Sequence, residues 1–543
     1  MKKFLLILAT LSILLTMVAC GTDTPTTPSK NDTTTTTTTA PTTSTTSKDE
    51  PAPHEHTAGE WVIVEEAQKT VDGYKIQSCS ECGEELARET LYATGSEGLK
   101  YTTFTSFQGE TTCWVTGIGD CTDTEVYVPA YINGYRVTQV TITYAKQVTS
   151  ITVAEGIQEL GSFGFWGCEN LVSVYLPDSL TTIPKESFFD CDNLTEIEIP
   201  KGVTTIGDSP FISCKNLSRI TVDTENPNYQ SIDGNLYTKD GTVLIQYAAG
   251  KTEESFVVPE TVTKIGTYAF NLSKFSNIYL PSSLTEIGKC AFVNSHNLQS
   301  VNIPDGVVTI SPNAFEYCVN LESVTIPESV TTIGEYAFHN CKALENIILP
   351  SGLTEISGHI LSGCEKLKSI TIPEGVTSIG EYAFSSMPNS NWYIPASVVN
   401  IDCTAFLNVW VAKFEVATEN EHYQSIDGHL YTKDGKTLVR YAIANTSTSF
   451  TIPEGVTTIG FGAFRYVENL TSVTIPKTVT KIENIAFQFC YDIEEFIFEG
   501  TTTEWENIDK LTNWDQYCGS LGYPTYGYEY VVKCTDETIT VTK

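Results

Sequence analysis

Four residues near the start of the chain have the types and the spacing of a zinc site. His54 and His56 come first, and Cys79 and Cys82 follow with two residues between them. Imidazole nitrogen and thiolate sulfur are ligands that zinc prefers, and a CxxC pair supplies two of them from one turn. The four residues are therefore candidate ligands of a structural zinc ion. A Cys79–Cys82 disulfide, or a pair of thiols without metal, is the alternative.

Cys20 has a sequence context that predicts covalent lipid attachment. Lys2 and Lys3 precede an apolar segment, residues 4–16, that is too short to span a membrane as a helix. The next residues, Met17-Val18-Ala19-Cys20-Gly21, resemble a bacterial lipobox. This resemblance implies that residues 1–19 are a lipoprotein signal peptide and that Cys20 carries the two acyl chains of a stable membrane anchor. An ordinary secretory signal with an incidental cysteine is the alternative.

Most of the other cysteines follow a period, which favours packing over catalysis. Seven of the 16 cysteines lie nine residues before the marker position of a repeat described below: Cys168, Cys191, Cys214, Cys318, Cys341, Cys364 and Cys490. A catalytic cysteine would be singular and would need a histidine partner. We expect inward-facing thiols that stack from coil to coil, with disulfides between neighbouring coils as the alternative.

No other group of residues predicts catalysis. The seven histidines are scattered, and the sequence lacks the HExxH, GxSxG, P-loop and GxGxxG patterns. The formal net charge is −34, so the chain should repel the phosphate backbone of nucleic acids. We therefore expect no enzyme, no nucleic-acid partner and no cofactor, with the candidate structural zinc as the one alternative.

A tandem repeat indicates which elements position these residues. LESVTIPESVTTIGEYAFHNCKA (321–343) and LENIILPSGLTEISGHILSGCEK (344–366) are successive copies, each marked by a proline. Apolar and polar residues alternate before the proline, which predicts a short strand that the proline ends. A single copy cannot bury its apolar face, so stacked copies must share one core and pair their strands in a parallel ladder. The marker proline occurs at 177, 200, 259, 281, 304, 327, 350, 373, 395, 453 and 476.

The repeat pattern L-x-x-[IV]-x-[IL]-P-x-x-[VL]-T-x-I-x-x-x-A-F-x-x-C-x-x resembles that of the BspA-type leucine-rich-repeat surface proteins. The resemblance implies a β-rich (α/β-type) solenoid of about 13 coils of 22–23 residues over 141–499. It also implies an N-terminal cap at 94–140 and a C-terminal cap at 500–543. Membership of this family would imply display at the bacterial cell surface and adhesion to macromolecules. It does not identify a ligand.

Two segments precede the caps and the array. Residues 20–52 are rich in threonine and cannot bury a core, so a disordered tether is expected. Residues 53–93 contain the four candidate zinc ligands and resemble a small zinc-ribbon-like module of some bacterial surface proteins. That pattern has a further cysteine near Lys69, which is absent here. The site therefore either uses the four ligands named above or has degenerated.

Two inserts, at about 224–250 and 418–445, interrupt the marker spacing. TENPNYQSIDGNLYTKDG (224–241) and TENEHYQSIDGHLYTKDG (418–435) differ at only three positions. The Asp-Gly pairs predict tight turns, so each insert should form a β-hairpin that projects from the edge of the solenoid. Such a hairpin is either structural or an additional contact surface.

The remaining functional signal is the column of residues expected to face out of the strand ladder. Exposed aromatic side chains often anchor interfaces, so Tyr175, Tyr279 and Tyr393 are the candidate binding residues for an extracellular protein or glycan. We expect contact with the membrane through the lipid anchor alone. A structural envelope scaffold is the alternative, because threonine dominates the column and is a good strand former. The expected column is Tyr175, Glu198, Thr221, Tyr279, Asn302, Thr325, Ile348, Thr371, Tyr393, Glu415, Thr451, Thr474 and Ile497.

Overall fold

A computed structural model describes residues 55–388, 390–519 and 529–542. These residues form a β-solenoid of about 17 turns with almost no helix, which confirms the expected solenoid and exceeds the expected number of coils. The difference arises because strands of the two segments expected to be caps also pair with the array. At the N-terminal end Glu125–Val128 pairs in parallel with Ser150–Val153, and at the C-terminal end Glu529–Lys533 pairs in parallel with Glu495–Phe498.

The strands before the array fall into two groups. The first group is an antiparallel sheet of β1 (Ala58–Glu65), β2 (Gly73–Cys79) and β3 (Glu85–Leu91). The second group leads into the array and contains β4 (Lys100–Thr105), β5 (Thr111–Gly117), β6 (Glu125–Val128), β7 (Tyr131–Ile132) and β8 (Tyr135–Val140). Because β5 pairs in parallel with β8 and β6 with the first array strand, the second group covers the N-terminal end of the core.

The array itself is interrupted twice. Its first part contains β9 (Ser150–Val153), β10 (Glu159–Leu160), β11 (Ser173–Tyr175), β12 (Thr182–Ile183), β13 (Glu196–Ile199), β14 (Thr205–Ile206) and β15 (Arg219–Val222). The first insert contains β16 (Tyr229–Ile232), β17 (Asn235–Thr238) and β18 (Val243–Gln246).

The middle part is the longest. It contains β19 (Ser255–Val257), β20 (Lys264–Ile265), β21 (Asn277–Tyr279), β22 (Glu286–Ile287), β23 (Ser300–Asn302), β24 (Thr309–Ile310), β25 (Ser323–Thr325), β26 (Thr332–Ile333), β27 (Glu355–Ile356), β28 (Ser378–Ile379), β29 (Ser390–Ile394), β30 (Asn400–Ile401) and β31 (Val411–Val416). The second insert contains β32 (Tyr423–Ile426), β33 (His429–Thr432) and β34 (Thr437–Arg440).

The last part closes the solenoid. It contains β35 (Ser449–Thr451), β36 (Thr458–Ile459), β37 (Ser472–Ile475), β38 (Lys481–Ile482), β39 (Glu495–Phe498), α1 (Thr502–Glu506), β40 (Asp509–Lys510), β41 (Glu529–Lys533) and β42 (Thr538–Thr542). The short helix begins with a capping box between Thr501 and Glu504, and its Trp505 is buried against the last core.

A typical coil contributes one strand to each of two parallel ladders. The strand before the marker position joins what we call the ladder face, where β23 and β25 pair Ser300 with Ser323 and Asn302 with Thr325. The strand after it joins the second ladder, where β24 and β26 pair Thr309 with Thr332. Proline lies between the two strands, because it has no amide hydrogen to donate to either ladder.

The third side of each coil, which we call the turn side, is held by hydrogen bonds between coils. Residues 334–341 are an example: the amide of Phe338 donates to the carbonyl of Ile360 in the next coil at 3.0 Å. Tyr336 and Asn340 have left-handed backbones, with φ of 59° and 57°. Residues other than glycine rarely adopt this conformation, so the coil-to-coil hydrogen bonds must offset its cost.

Phenylalanine rings from successive turn sides stack inside the solenoid. The ring centroids of Phe270, Phe292, Phe315 and Phe338 follow one another at 4.8, 4.8 and 5.3 Å. All four side chains are fully buried. Burial of such a side chain contributes about 2–3 kcal/mol, and the stacking repeats that contribution from coil to coil. This arrangement explains why most copies of the repeat have phenylalanine at this position, although Leu361 replaces it in one coil.

The two inserts form hairpins, but the expectation that they project from the solenoid is wrong. β18 pairs in parallel with β20 and thereby continues the second ladder. β17 lies between two core regions: Leu236 packs in the first, while Tyr237 packs in the second. In the second insert, Leu430 packs in the second core and Tyr431 packs in the third. Each hairpin is therefore a partition within the rod.

A buried asparagine fixes the entry to each insert. The Asn226 amide group donates to the carbonyls of Pro200 and Val203 at 2.8 and 3.0 Å. Its oxygen accepts from the amides of Asn228 and Tyr229, both at 2.9 Å. In the second insert Asn420 makes the equivalent four hydrogen bonds. Its role explains why this segment is nearly identical in the two copies.

Candidate binding surface

The three candidate tyrosines face outward from the ladder face. Tyr175, Tyr279 and Tyr393 are 59%, 60% and 46% exposed. Their inward neighbours alternate with them along the strand: Val174 and Ile278 are buried. The alternation predicted from the sequence therefore places the aromatic rings on one side of the solenoid.

The structure does not bring the three tyrosines together. In the expected column, Glu198 and Thr221 lie between Tyr175 and Tyr279, together with the first insert, and five steps separate Tyr279 from Tyr393. At one ladder spacing per step, the second separation alone is roughly 24 Å. No single small ligand could contact all three rings, so they mark separate places on an extended surface.

Val257 is an outward residue that the sequence analysis missed. It pairs with Tyr279 across β19 and β21 and is 66% exposed. The first insert precedes Val257 and interrupts the count of repeats. The position of Val257 two residues before Pro259 could nevertheless have identified it as an outward residue. Ile348 belongs to the expected column and is 78% exposed. The ladder face thus presents aliphatic as well as aromatic side chains to solvent.

A cleft opens on the ladder face beside Tyr175. It lies where the sheet that contains β11 ends and the pair β13–β15 begins. Its volume is about 660 Å³, within the range of small-molecule sites. The lining residues are Ser173, Val174, Tyr175, Leu176, Asp178, Glu196, Ile197, Glu198, Pro200, Arg219, Thr221 and Asp223. Tyr175 is the only one of the three candidate tyrosines among them.

The cleft is predominantly acidic. Four carboxylates and one guanidinium line it, and Lys201 Nζ lies 3.1 Å from the Asp178 carboxylate at its margin. Glu196 and Glu198 both point outward from β13, because residues two apart share one face of a strand. The arrangement combines an apolar ring face, several hydrogen-bond acceptors and a single cationic donor. It is suited to a ligand rich in hydroxyl or ammonium groups.

Three of the four candidate zinc ligands lie together in the sheet of β1–β3. His56, Cys79 and Cys82 have ligand atoms that all lie within 4.8 Å of one another. His54 lies outside the described residues, as does Cys20, the predicted lipid anchor. Within the described part of the chain, no helix combines the length and the hydrophobicity needed to cross a bilayer.

The periodic cysteines are buried thiols, which confirms the packing interpretation. All seven face the core. Cys341 Sγ donates to the Phe315 carbonyl of the preceding coil at 3.2 Å, and Ser295 makes the same kind of bond to Phe270 at 2.8 Å. Burial raises the pKa of Cys168 to about 11 and that of Cys490 to about 12. A thiol with such a pKa is a poor nucleophile at neutral pH.

The histidines of the second insert have structural environments. His429 is buried, and its Nδ1 accepts a hydrogen bond from the amide of Ala442 at 3.0 Å. Its ring stacks on Tyr441 with a centroid distance of 4.3 Å. Burial lowers the pKa of His429 to about 4. The amide of His422 donates to Asn420, the buried asparagine of the second insert. Both histidines lie away from the cleft.

The repeat matches a family model described as "BspA type Leucine rich repeat region". Six copies match, over residues 138–240, 247–343, 308–430 and 436–510. None of the curated proteins matches the chain.

Among solved structures, a leucine-rich repeat protein from Eubacterium ventriosum is 23% identical over 54% of this chain and 94% of its own, with a TM-score of 0.41. One from Bacteroides ovatus is 21% identical over 77% and 97%, with a TM-score of 0.38. A leucine rich cell surface protein from Faecalibacterium prausnitzii is 19% identical over 77% and 97%, with a TM-score of 0.31.

Proposed function

The chain belongs to the BspA-type leucine-rich-repeat family, and we propose that it is a binding protein of the bacterial cell surface. Its ladder face recognises a protein or a glycan outside the cell. The observation that carries the proposal is the exposed Tyr175 ring on the wall of an acidic cleft in that face. A repeat array presents such a surface rigidly, because each coil is fixed by its neighbours.

The composition of the cleft supports a polar or cationic ligand. Carboxylates accept hydrogen bonds from sugar hydroxyls and from ammonium groups, and Arg219 donates in a fixed, planar geometry. The Tyr175 ring offers a flat apolar face of the kind that anchors interfaces. A polyanion would face both the carboxylates of the cleft and a formal net charge of −34. A glycan, or a protein segment with basic side chains, fits these charges better.

The exposed aliphatic residues support contacts beyond the cleft. Val257 and Tyr279 lie side by side on neighbouring strands, and Ile348 lies further along the same column. Singly exposed apolar side chains are common on soluble proteins, but here they share one face with Tyr175. A macromolecular ligand can reach both the cleft and this part of the column, whereas a small molecule cannot.

The surface location rests on the sequence. The lipobox-like segment ending at Cys20 would anchor the chain by two acyl chains, and the threonine-rich segment of residues 20–52 would separate the solenoid from the membrane. Together they would hold the binding face outside the cell and at a distance from the lipid headgroups.

A structural envelope scaffold is the second candidate function. The observation that favours it is the outward column itself, in which threonine is the most frequent residue. Threonine at such positions is sufficiently explained by strand propensity. A scaffold would need the length of the rod and no particular outward side chain.

The proposed function is tested with the purified full chain on arrays of glycans and extracellular proteins. The first variant, Tyr175→Ala with Glu198→Gln, removes the ring and one carboxylate of the cleft. The second variant, Tyr279→Ala, removes the tyrosine ring that lies beside Val257 on the ladder face. Tyr317→Asn is the matched control, because Tyr317 is an exposed tyrosine of the turn side with a left-handed φ of 57° that asparagine tolerates.

We expect a ligand whose affinity for the cleft variant falls at least roughly tenfold, as for removal of an interface anchor. The control should bind like the wild type. Absence of any ligand, or a ligand whose affinity is unchanged in both ladder-face variants, would contradict the proposal. The first of these results would favour the scaffold.

A further inference from the structure

The sheet of β1–β3 lacks a hydrophobic core of its own. Within residues 55–91 only Gly73 and Cys79 are buried. Trp61, Val62, Ile63 and Val64 of β1 are all exposed. Units of fewer than about 40 residues usually need a disulfide, a metal ion or oligomerisation to fold. Some interaction other than apolar burial must therefore hold this sheet together.

The only buried side chain of the sheet lies in a tight turn. Cys79 ends β2, and the amide of Gly83 donates to its carbonyl at 2.9 Å. Gly83 has a φ of 78°, a left-handed conformation that glycine adopts without strain. The amide of Glu81 donates to Cys79 Sγ, with an N···S distance of 3.5 Å. This turn directs Cys79 and Cys82 towards the same point, with an amide placed to stabilise a thiolate.

A third donor is brought to that point from the other end of the unit. The amide of Ser80 donates to the carbonyl of Thr57 at 2.9 Å, which ties the segment before β1 to the turn. His56 Nδ1 then lies 3.5 Å from Cys82 Sγ. In a tetrahedral zinc site, ligand distances of 2.0–2.1 Å for nitrogen and 2.3 Å for sulfur give an N···S separation of about 3.6 Å. The observed separation of this pair therefore matches that in a tetrahedral zinc site.

The other nitrogen of His56 has a carboxylate partner. His56 Nε2 lies 3.3 Å from the Glu84 carboxylate. A histidine that binds a metal through one nitrogen commonly donates its other N–H to a carboxylate, which fixes the tautomer and the ring orientation. Glu84 is therefore placed to leave Nδ1 unprotonated and directed towards the two sulfurs.

We propose that His56 Nδ1, Cys79 Sγ and Cys82 Sγ bind one zinc ion that holds the sheet of β1–β3 together. Binding releases the protons of the two thiols to solvent, so that two thiolates and a neutral imidazole surround the dication and a water molecule completes its tetrahedral coordination. Two sulfurs and a nitrogen favour zinc over calcium or magnesium, which prefer oxygen. This inference is independent of the ligand of the ladder face.

The experiment measures zinc in the purified full chain under reducing conditions, by mass spectrometry of the metal and by titration with cobalt as a spectroscopic substitute. The wild type should contain about one zinc per chain. His56→Ala and Cys82→Ser should abolish stoichiometric binding. Glu84→Gln should weaken the affinity for zinc by roughly tenfold to a hundredfold. Cys403→Ser is the matched control, since Cys403 is an exposed cysteine of the solenoid, and it should leave the zinc content unchanged.

A second measurement does not depend on the folding of the variants. In the wild type, removal of zinc by a chelator should make residues 55–93 sensitive to protease while the solenoid stays resistant, and added zinc should restore protection. The proposal would be overturned by a reduced wild-type chain that binds no zinc, or by zinc content that is equal in the wild type, His56→Ala and Cys82→Ser. It would also be overturned by a Cys79–Cys82 disulfide in the chain as isolated.

Discussion

Asn235 and His429 occupy the same position in the two hairpin inserts and accept the same hydrogen bond. Asn235 Oδ1 accepts from the amide of Ala248 at 3.0 Å, and His429 Nδ1 accepts from the amide of Ala442 at 3.0 Å. Both side chains are buried. The two inserts therefore form the same hydrogen bond, but only in the second is the acceptor an ionisable side chain.

The second insert should lose stability in weak acid. Burial lowers the pKa of His429 to about 4, whereas an unfolded histidine has a pKa of about 6.5. Below about pH 6.5 the unfolded state binds a proton that the folded state cannot, so the stabilisation present at neutral pH falls until about pH 4. The full loss is about 3 kcal/mol. Hydrogen exchange at the Ala442 amide, followed against pH, measures it.

The change His429→Asn should remove this pH dependence, because the first insert shows that asparagine accepts the same bond. Asn235→His is the reciprocal variant and should transfer the pH dependence to the first insert. Equal acid sensitivity of the Ala442 amide in the wild type and His429→Asn would contradict this account.

Replacement of Asn226 by alanine should strongly destabilise the junction between the first two cores. The change leaves two buried carbonyls and two amides without their partner, and each unsatisfied buried group costs about 1–3 kcal/mol. We expect a loss of at least about 3 kcal/mol in urea unfolding, and a similar loss for Asn420→Ala. The control is Asn228→His, since the second insert has His422 there, and its effect should stay within about 0.5 kcal/mol.

The seven periodic cysteines should resist alkylation in the folded chain. Their thiols are buried, and burial raises the pKa of Cys364 to about 12, so little thiolate exists at pH 8. Cys403 is exposed and should react first. Peptide mapping after iodoacetamide treatment, with and without denaturant, measures this order. Rapid labelling of Cys341 in the native protein would contradict the packing role.

The predicted anchor can be tested by Cys20→Ala. A diacylglyceryl cysteine incorporates labelled palmitate and holds the chain on the membrane through two acyl chains. The variant should lose the label and leave the membrane fraction. Unchanged membrane retention would show that the lipobox-like segment is not the anchor.

The sequence predicts the solenoid because the physical constraint is local and repeated. The proline at 327, the alternation before it and the buried Phe338 recur in copy after copy, and each copy needs its neighbours to bury its apolar face. The outward tyrosines follow from the same alternation. These features need no knowledge of contacts distant in sequence.

Other features depend on contacts that the repeat does not encode. The left-handed backbone of Tyr336 could not be predicted, since bulky residues usually avoid that conformation. The integration of the hairpins was missed, because a turn motif does not specify which ladder its strands will join. The cleft beside Tyr175 arises where the pairing of β11 and β13 is interrupted, and no residue pattern indicates that interruption.

For the candidate zinc site, the CxxC spacing alone places Cys79 near Cys82. The approach of His56 depends on the hydrogen bond between Ser80 and Thr57, which links segments that are distant in sequence. The role of Glu84 as the partner of His56 could be recognised only from the structure.

The central claim is that the ladder face, and not the rod as a whole, binds a ligand. Its most direct test is the adherence of cells that display the full chain to a surface coated with the ligand found on the arrays. Cells with Tyr175→Ala and Glu198→Gln should lose most of their adherence, while cells with Tyr317→Asn adhere like the wild type. Equal adherence of all three, at equal surface display, would contradict the claim.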